Sequence, residues 1–180
     1  MGQKCKPAND ACQTLPEGCK LLQDGQFSQL GFKNNQYFQQ TMRFLAGMWI
    51  EDYIYHTLKA GIKDPAIGIE KDFIVTKEGW KTDFELDLVI VNKSRFIGIH
   101  ATTSKTRSVC KSKGFELLVR TQQIADNADA ILVTCLESEN RMRLEQELQI
   151  SPVKKDIIVL GMNDLLAQIL LDRVHEFICK

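Results

Sequence analysis

Phe84 to Lys105 reads FELDLVIVNKSRFIGIHATTSK. Two runs rich in β-branched and aromatic residues, Phe84–Val91 and Arg95–Thr103, flank the turn-forming triplet Asn92-Lys93-Ser94, which is the pattern of a β-hairpin. Side chains alternate across a strand, so residue parity says which groups share a face. Phe84, Leu86, Leu88 and Ile90 fall on one face of the first strand, and Glu85, Asp87, Val89 and Val91 on the other. In the second strand Phe96, Gly98, His100 and Thr102 share a face. Pairing the two strands then brings Asp87 near His100 and Thr102. An aspartate inside so apolar a segment is costly to bury unless it is paired or bound to a metal.

Upstream of the hairpin, Asn35 to Ala60 reads as a helix. Phe38, Met42, Leu45, Trp49 and Ile54 approximate one apolar stripe, widened by Met48, Tyr55 and Leu58, and Gly61 stands where a helix C-terminal glycine is expected. Ile67–Val75 is β-rich and ends in a Lys77-Glu78-Gly79 turn. Downstream, helix and strand alternate. Lys111–Asn127 is a helix, Ala130–Cys135 a buried strand, and Asn140–Gln149 a charged helix. Asp156–Leu160 is a short strand, and Asn163–Phe177 a closing amphipathic helix with Asn163 as N-cap. The order α-β-β-β-α-β-α-β-α predicts an α/β fold with a mixed central sheet: antiparallel hairpins first, then parallel crossovers, with helices on both faces.

Length and composition set the frame for this core. The chain has 180 residues, 44% hydrophobic and 26% charged, which suits one soluble globular domain. Its 23 Lys+Arg cancel 23 Asp+Glu, so any attraction to nucleic acid must come from a local patch. No apolar run is long enough to span a bilayer, and the start MGQKCKPAND lacks the apolar region of a secretory signal. Residues 1–36 hold two prolines, three cysteines (Cys5, Cys12, Cys19) and no Val or Ile, so they read as a loop-rich arm ahead of a body over 37–180. Six cysteines without tight C-x-x-C spacing read as free thiols in a reducing cytoplasm, with Cys135 of AILVTC a buried core thiol.

Two segments carry a resemblance. GMWIEDYIYHTLK (Gly47–Lys59) followed by FELDLVIVNKSRFIGIHATTSK resembles the PD-(D/E)XK nuclease superfamily, and within it the nuclease domain of CRISPR-ancillary nucleases that carry a CARF sensor. Those proteins show a helix of the form G-x-W-L-E-E-Y-V-Y, a strand N-E-L-D, and a next strand ending E-C-K-T. The likeness runs over most of residues 37–172, including the AILVTC strand and the helix around Arg141 and Arg143. It implies a restriction-endonuclease-like fold, a divalent metal (Mg or Mn), a nucleic-acid substrate and a homodimer; no sensor domain is expected within residues 1–36. It also implies a metal set of Glu51, Asp87 and the residue at position 100. Aligned on E-C-K-T, however, this chain reads His100-Ala101-Thr102-Thr103, so the metal-binding Glu is replaced by His100 and the Lys by Thr102.

That departure decides the chemistry to expect. Magnesium prefers oxygen ligands, whereas an imidazole suits manganese or zinc better. The missing lysine would have stabilised developing negative charge, which Thr102 cannot do. Lys105, three residues on, is a candidate to restore that charge. Lys105, Arg107, Lys111 and Lys113 also form a basic segment without an acidic residue, suited to phosphate contacts. Three readings follow: a nuclease-fold protein with a degenerate site that binds nucleic acid or serves as an assembly module; a manganese-preferring endonuclease using Glu51, Asp87 and His100; or a structural protein in which His100 is a core histidine and Asp87 caps a turn or pairs with Lys105.

Overall fold

Gly47 interrupts the long helix expected from Asn35 to Ala60. The computed structural model describes residues 41–76, 83–150 and 156–179, and two units divide the chain, Met1–Met48 and Trp49–Lys180. The arm 1–36 with Cys5, Cys12 and Cys19, and the Lys77-Glu78-Gly79 turn, lie outside the described residues. In the first unit a π-helical segment, Phe44–Met48, contains Gly47 at φ 156° and ψ −18°. Lacking a Cβ, glycine takes that conformation readily. The second unit opens with α1, Trp49–Gly61, whose buried residues Ile50, Ile54 and Leu58 recur every four positions. Trp49, expected on the apolar stripe, lies about 100° round this helix from Ile50 and is exposed.

Five strands follow the expected order: β1 Ile67–Val75, β2 Phe84–Asn92, β3 Arg95–Ala101, β4 Asp129–Val133 and β5 Ile157–Leu160. They lie side by side in sequence order, β1–β2 and β2–β3 antiparallel, β3–β4 and β4–β5 parallel. The remaining helices are α2 Arg107–Ile124, α3 Ser138–Gln149 and α4 Ala167–Ile178. On one face α1 and α4 pack Ile50, Ile54, Leu58, Leu170 and Val174 against Leu88, Ile90, Ile97 and Ile99. On the other, α2 and α3 pack Cys110, Leu117, Leu144 and Leu148 against Val89, Ala130, Leu132 and Val159. The fold is therefore the mixed, two-faced α/β sheet that the sequence predicts.

Several boundaries move for local reasons. Helix α2 starts at Arg107, not Lys111, because its buried stripe of Cys110, Gly114, Leu117 and Thr121 reaches back a full turn. Strand β3 ends at Ala101, not Thr103: Thr102 N–H still bonds Val133 O at 2.9 Å, but its Oγ1 accepts the Ser104 N–H at 3.3 Å and turns the chain. The closing helix is not continuous from Asn163. Asp164 Oδ2 accepts the Gly161 N–H at 2.8 Å and closes a 3₁₀ turn, Met162–Leu165, after which Leu166 (ψ 130°) breaks the helix. Asn163 is not the cap; it donates to Ser138 Oγ at 3.1 Å.

Helix α3 also covers the edge of β5. Glu145 Oε2 accepts the Val159 N–H at 3.1 Å, Arg141 donates to Val159 O at 3.1 Å, and Gln149 to Ile157 O at 3.3 Å. Side chains thus satisfy ladder groups that would otherwise invite another strand. Cys110 and Cys135 are buried free thiols and Cys179 an exposed one; burial raises the pKa of the first two. Among the described residues no helix is long and apolar enough to cross a membrane.

Candidate functional site

The β2–β3 hairpin brings Asp87 against His100. Its register runs to Leu88↔Ile99, and one step further these two residues face each other. Asp87 Oδ2 accepts the Ala101 N–H at 2.7 Å and lies 2.9 Å from His100 Nδ1. The two side chains are only 15% and 17% exposed. Nδ1 is thus the ring nitrogen turned towards the Asp87 carboxylate. Nε2 is buried and has no hydrogen-bond partner among the described residues.

Asp87 sits where the expected alternation fails. Leu86 belongs to the core layer of α2 and α3, whereas Leu88 belongs to that of α1 and α4. The four residues Phe84, Leu86, Leu88 and Ile90 thus do not share one face. The neighbouring strand shows the matching fault. The β1–β2 register pairs Lys71↔Leu88 and Phe73↔Leu86 but skips Asp72, whose φ is 54°. A residue in the left-handed region twists the ladder, and both strands change faces at this level. Asp72 and Asp87 occupy the level where the regular strand packing is given up.

Helix α1 contributes Glu51 and Asp52. Glu51 is half-buried; burial first, then the charge of Asp87, raise its pKa from the ordinary 4.5 to about 7, with Lys71 lowering it, Asp72 raising it and His100 lowering it. The lysine that answers these acids is one the sequence reading did not single out. Lys71, from β1, places Nζ 2.6 Å from Asp52 Oδ1 and 3.8 Å from Asp72 Oδ2, with its side chain 15% exposed. Burial works against its charge, but the hydrogen bond and charge of Asp52, with Asp72 and Glu51, hold its pKa above the ordinary lysine value. The signal is the charged triplet Glu70-Lys71-Asp72 inside an otherwise β-rich run.

The other candidates stand apart. Thr102 is occupied by its turn with Ser104. Lys105 is exposed, with no hydrogen bond or ion pair to Glu51, Asp87 or His100, and its charge is felt at Cys135. Arg107 forms an ion pair with Glu147, and Lys111 Nζ lies 3.0 Å from the same carboxylate. Lys113 is half-buried on α2. Two of the four basic groups, Arg107 and Lys111, therefore share one acid, and the segment keeps a positive excess.

Magnesium would need several oxygens free to face it. Asp87 Oδ2 accepts the Ala101 N–H and lies against the imidazole at position 100, and the Lys71 ammonium pairs with Asp52 and Asp72. Among the described residues no group of three or more His, Cys, Asp or Glu side chains is arranged to hold a metal ion. The donor set does not fit magnesium.

No protein-family model and no curated protein matches the sequence. Among solved structures, the chain is similar to protein VC1899 from Vibrio cholerae, with TM-score 0.60 and 19% identity over 82% of this chain and 37% of that one. It is similar to Can2 from Sulfobacillus thermosulfidooxidans, solved with cyclic tetra-adenylate, with TM-score 0.60 and 17% identity over 87% of this chain and 42% of Can2. It is also similar to R.BspD6I2, the small subunit of the heterodimeric restriction endonuclease R.BspD6I, with TM-score 0.50 and 9% identity over 73% of this chain and 77% of the subunit. The chain spans less than half the length of the first two proteins. At these identities the likeness is one of fold, and the mixed five-stranded sheet flanked by helices is a restriction-endonuclease-like fold.

Proposed function

We propose that this chain is a nuclease-fold protein with a degenerate catalytic site that binds nucleic acid without cleaving it by the magnesium mechanism. The observation that carries this reading is the internal use of Asp87. Its carboxylate fixes the His100 ring and the Ala101 backbone, at 2.9 and 2.7 Å, instead of lying open to a cation. Phosphodiester hydrolysis of this kind needs a metal to polarise the phosphate and activate water, and the motif's glutamate and lysine are both replaced. Contact with nucleic acid falls to Lys105, Arg107, Lys111 and Lys113, where positive charge remains in excess.

The test is to incubate the full chain with single- and double-stranded DNA and RNA, in magnesium and then in manganese. The expected result is binding without cleavage in either metal. The double change His100→Glu with Thr102→Lys restores the motif chemistry and is expected to create magnesium-dependent cleavage. Wild-type cleavage in manganese that disappears in Asp87→Ala would instead establish an endonuclease built on Glu51, Asp87 and His100. A tight homodimer that neither binds nor cleaves any of the four substrates would leave only a structural role.

A further inference from the structure

Free cysteines are among the most buried residues, and Cys110 and Cys135 follow that rule, but Cys179 does not. It ends α4 on the solvent side, opposite the buried Leu170, Val174, Phe177 and Ile178. His175, one turn earlier, shares that side, and both residues are exposed. The Cys179 Sγ lies 3.8 Å from each ring nitrogen of His175. The turn that carries the pair is well anchored. Cys179 N–H donates to His175 O at 3.0 Å. Arg95, itself 2.6 Å from Asp129, donates to the Phe177 and Ile178 carbonyls at 2.8 and 3.3 Å. A thiol and an imidazole are thus held side by side on a fixed helix end.

We propose that His175 and Cys179 form half of a zinc site, which a second copy of this chain completes. Zinc bonds thiolate sulfur at about 2.3 Å and imidazole nitrogen at about 2.0–2.1 Å, so tetrahedral geometry sets two such donors about 3.6 Å apart. The observed 3.8 Å is close to that bite, so the ion fits with small side-chain adjustments and the helix in place. Among the described residues the pair gains no third ligand from its own chain. Asp172, one turn back, is engaged by Gln168 at 2.8 Å. Two tetrahedral positions therefore stay open, and the same pair from a twofold-related chain fills them with a second thiolate and a second imidazole. Sulfur and nitrogen donors select zinc over magnesium. On binding, the Cys179 S–H gives up its proton to solvent and the sulfur bonds the metal. The negative end of the α4 dipole favours a cation at this last turn. The proposal goes beyond the nucleic-acid reading and does not depend on it.

The experiment takes the full chain, reduced with a phosphine and freed of metal, and titrates it with zinc or with cobalt(II) as a spectroscopic probe. Sedimentation velocity follows the oligomeric state. Wild type is expected to dimerise as it takes up about one zinc ion per two chains, and to give tetrahedral cobalt bands with thiolate-to-cobalt charge transfer. Cys179→Ser and His175→Gln alter exposed positions, so each should melt as wild type does while losing both the metal-dependent dimer and the charge-transfer band. Failure of wild type to bind zinc overturns the proposal, as does binding of one ion per chain without dimerisation. A dimer that persists in chelator and reductant, or a charge-transfer band that survives Cys179→Ser, overturns it too. So does loss of zinc binding in a Cys5→Ser, Cys12→Ser, Cys19→Ser triple variant, which would put the ligands in the amino-terminal arm.

Discussion

Glu51 shows how a single residue reports on the site. Its pKa of about 7 stands above the ordinary 4.5, so the folded chain holds this proton more tightly than the unfolded chain does. The stability this adds is fully present below about pH 4.5 and is lost as pH rises through 7. Glu51→Gln is permanently neutral and escapes that loss. We expect urea unfolding to find the variant more stable than wild type at pH 8 by about 1–2 kcal/mol, after discounting for solvent at a half-buried group, and equal to it near pH 4. An advantage of the same size at both pH values would show that ionisation is not its source. Residue-scale reading of the sequence named Glu51, Asp87 and His100 as candidates. It passed over Lys71, because the Asp52 partner that gives this lysine meaning lies 19 residues away on another element.

Elements settle how the sheet ends. Strand β5 is an edge strand, and α3 covers it with Arg141, Glu145 and Gln149, which bond the Val159 N–H and the carbonyls of Val159 and Ile157. Glu145 also accepts from Arg141 at 2.9 Å. Glu145→Ala therefore strips the Val159 N–H of its acceptor and Arg141 of its carboxylate. The expected cost is roughly 1–3 kcal/mol, read in denaturant melts, with faster aggregation from the uncovered edge. A melt identical to wild type would mean that β5 is protected by something other than α3. The charged surface of Asn140–Gln149 was plain in the sequence, but its capping of a strand was not. The bonds join residues 8 to 18 positions apart that only helix–strand docking brings together.

Over the whole molecule charge is balanced, 23 basic against 23 acidic residues. The proposed binding to nucleic acid is therefore expected to be local and salt-sensitive. If Lys105, Arg107, Lys111 and Lys113 all contact phosphates, log affinity should fall against log salt with a slope of about −3 to −4. Lys105→Ala with Lys113→Ala, which leaves the Glu147 ion pairs intact, should reduce that slope by about 2 in a salt titration of fluorescence anisotropy. An unchanged slope would move the binding face away from the start of α2.

The sequence alone determined the hairpin, the order of strands and helices, and the meeting of Asp87 with His100. All three depend on short-range chemistry: apolar periodicity, turn residues, and a two-residue connection between adjacent strands. Tertiary structure alone decided that Leu86 and Leu88 enter opposite layers, that Glu147 engages Arg107 and Lys111, and that Lys71 rather than Lys105 stands among the acids. These outcomes need a left-handed residue at Asp72 and the docking of segments remote in the chain, where a side chain's partner is set by packing and not by its neighbours in sequence.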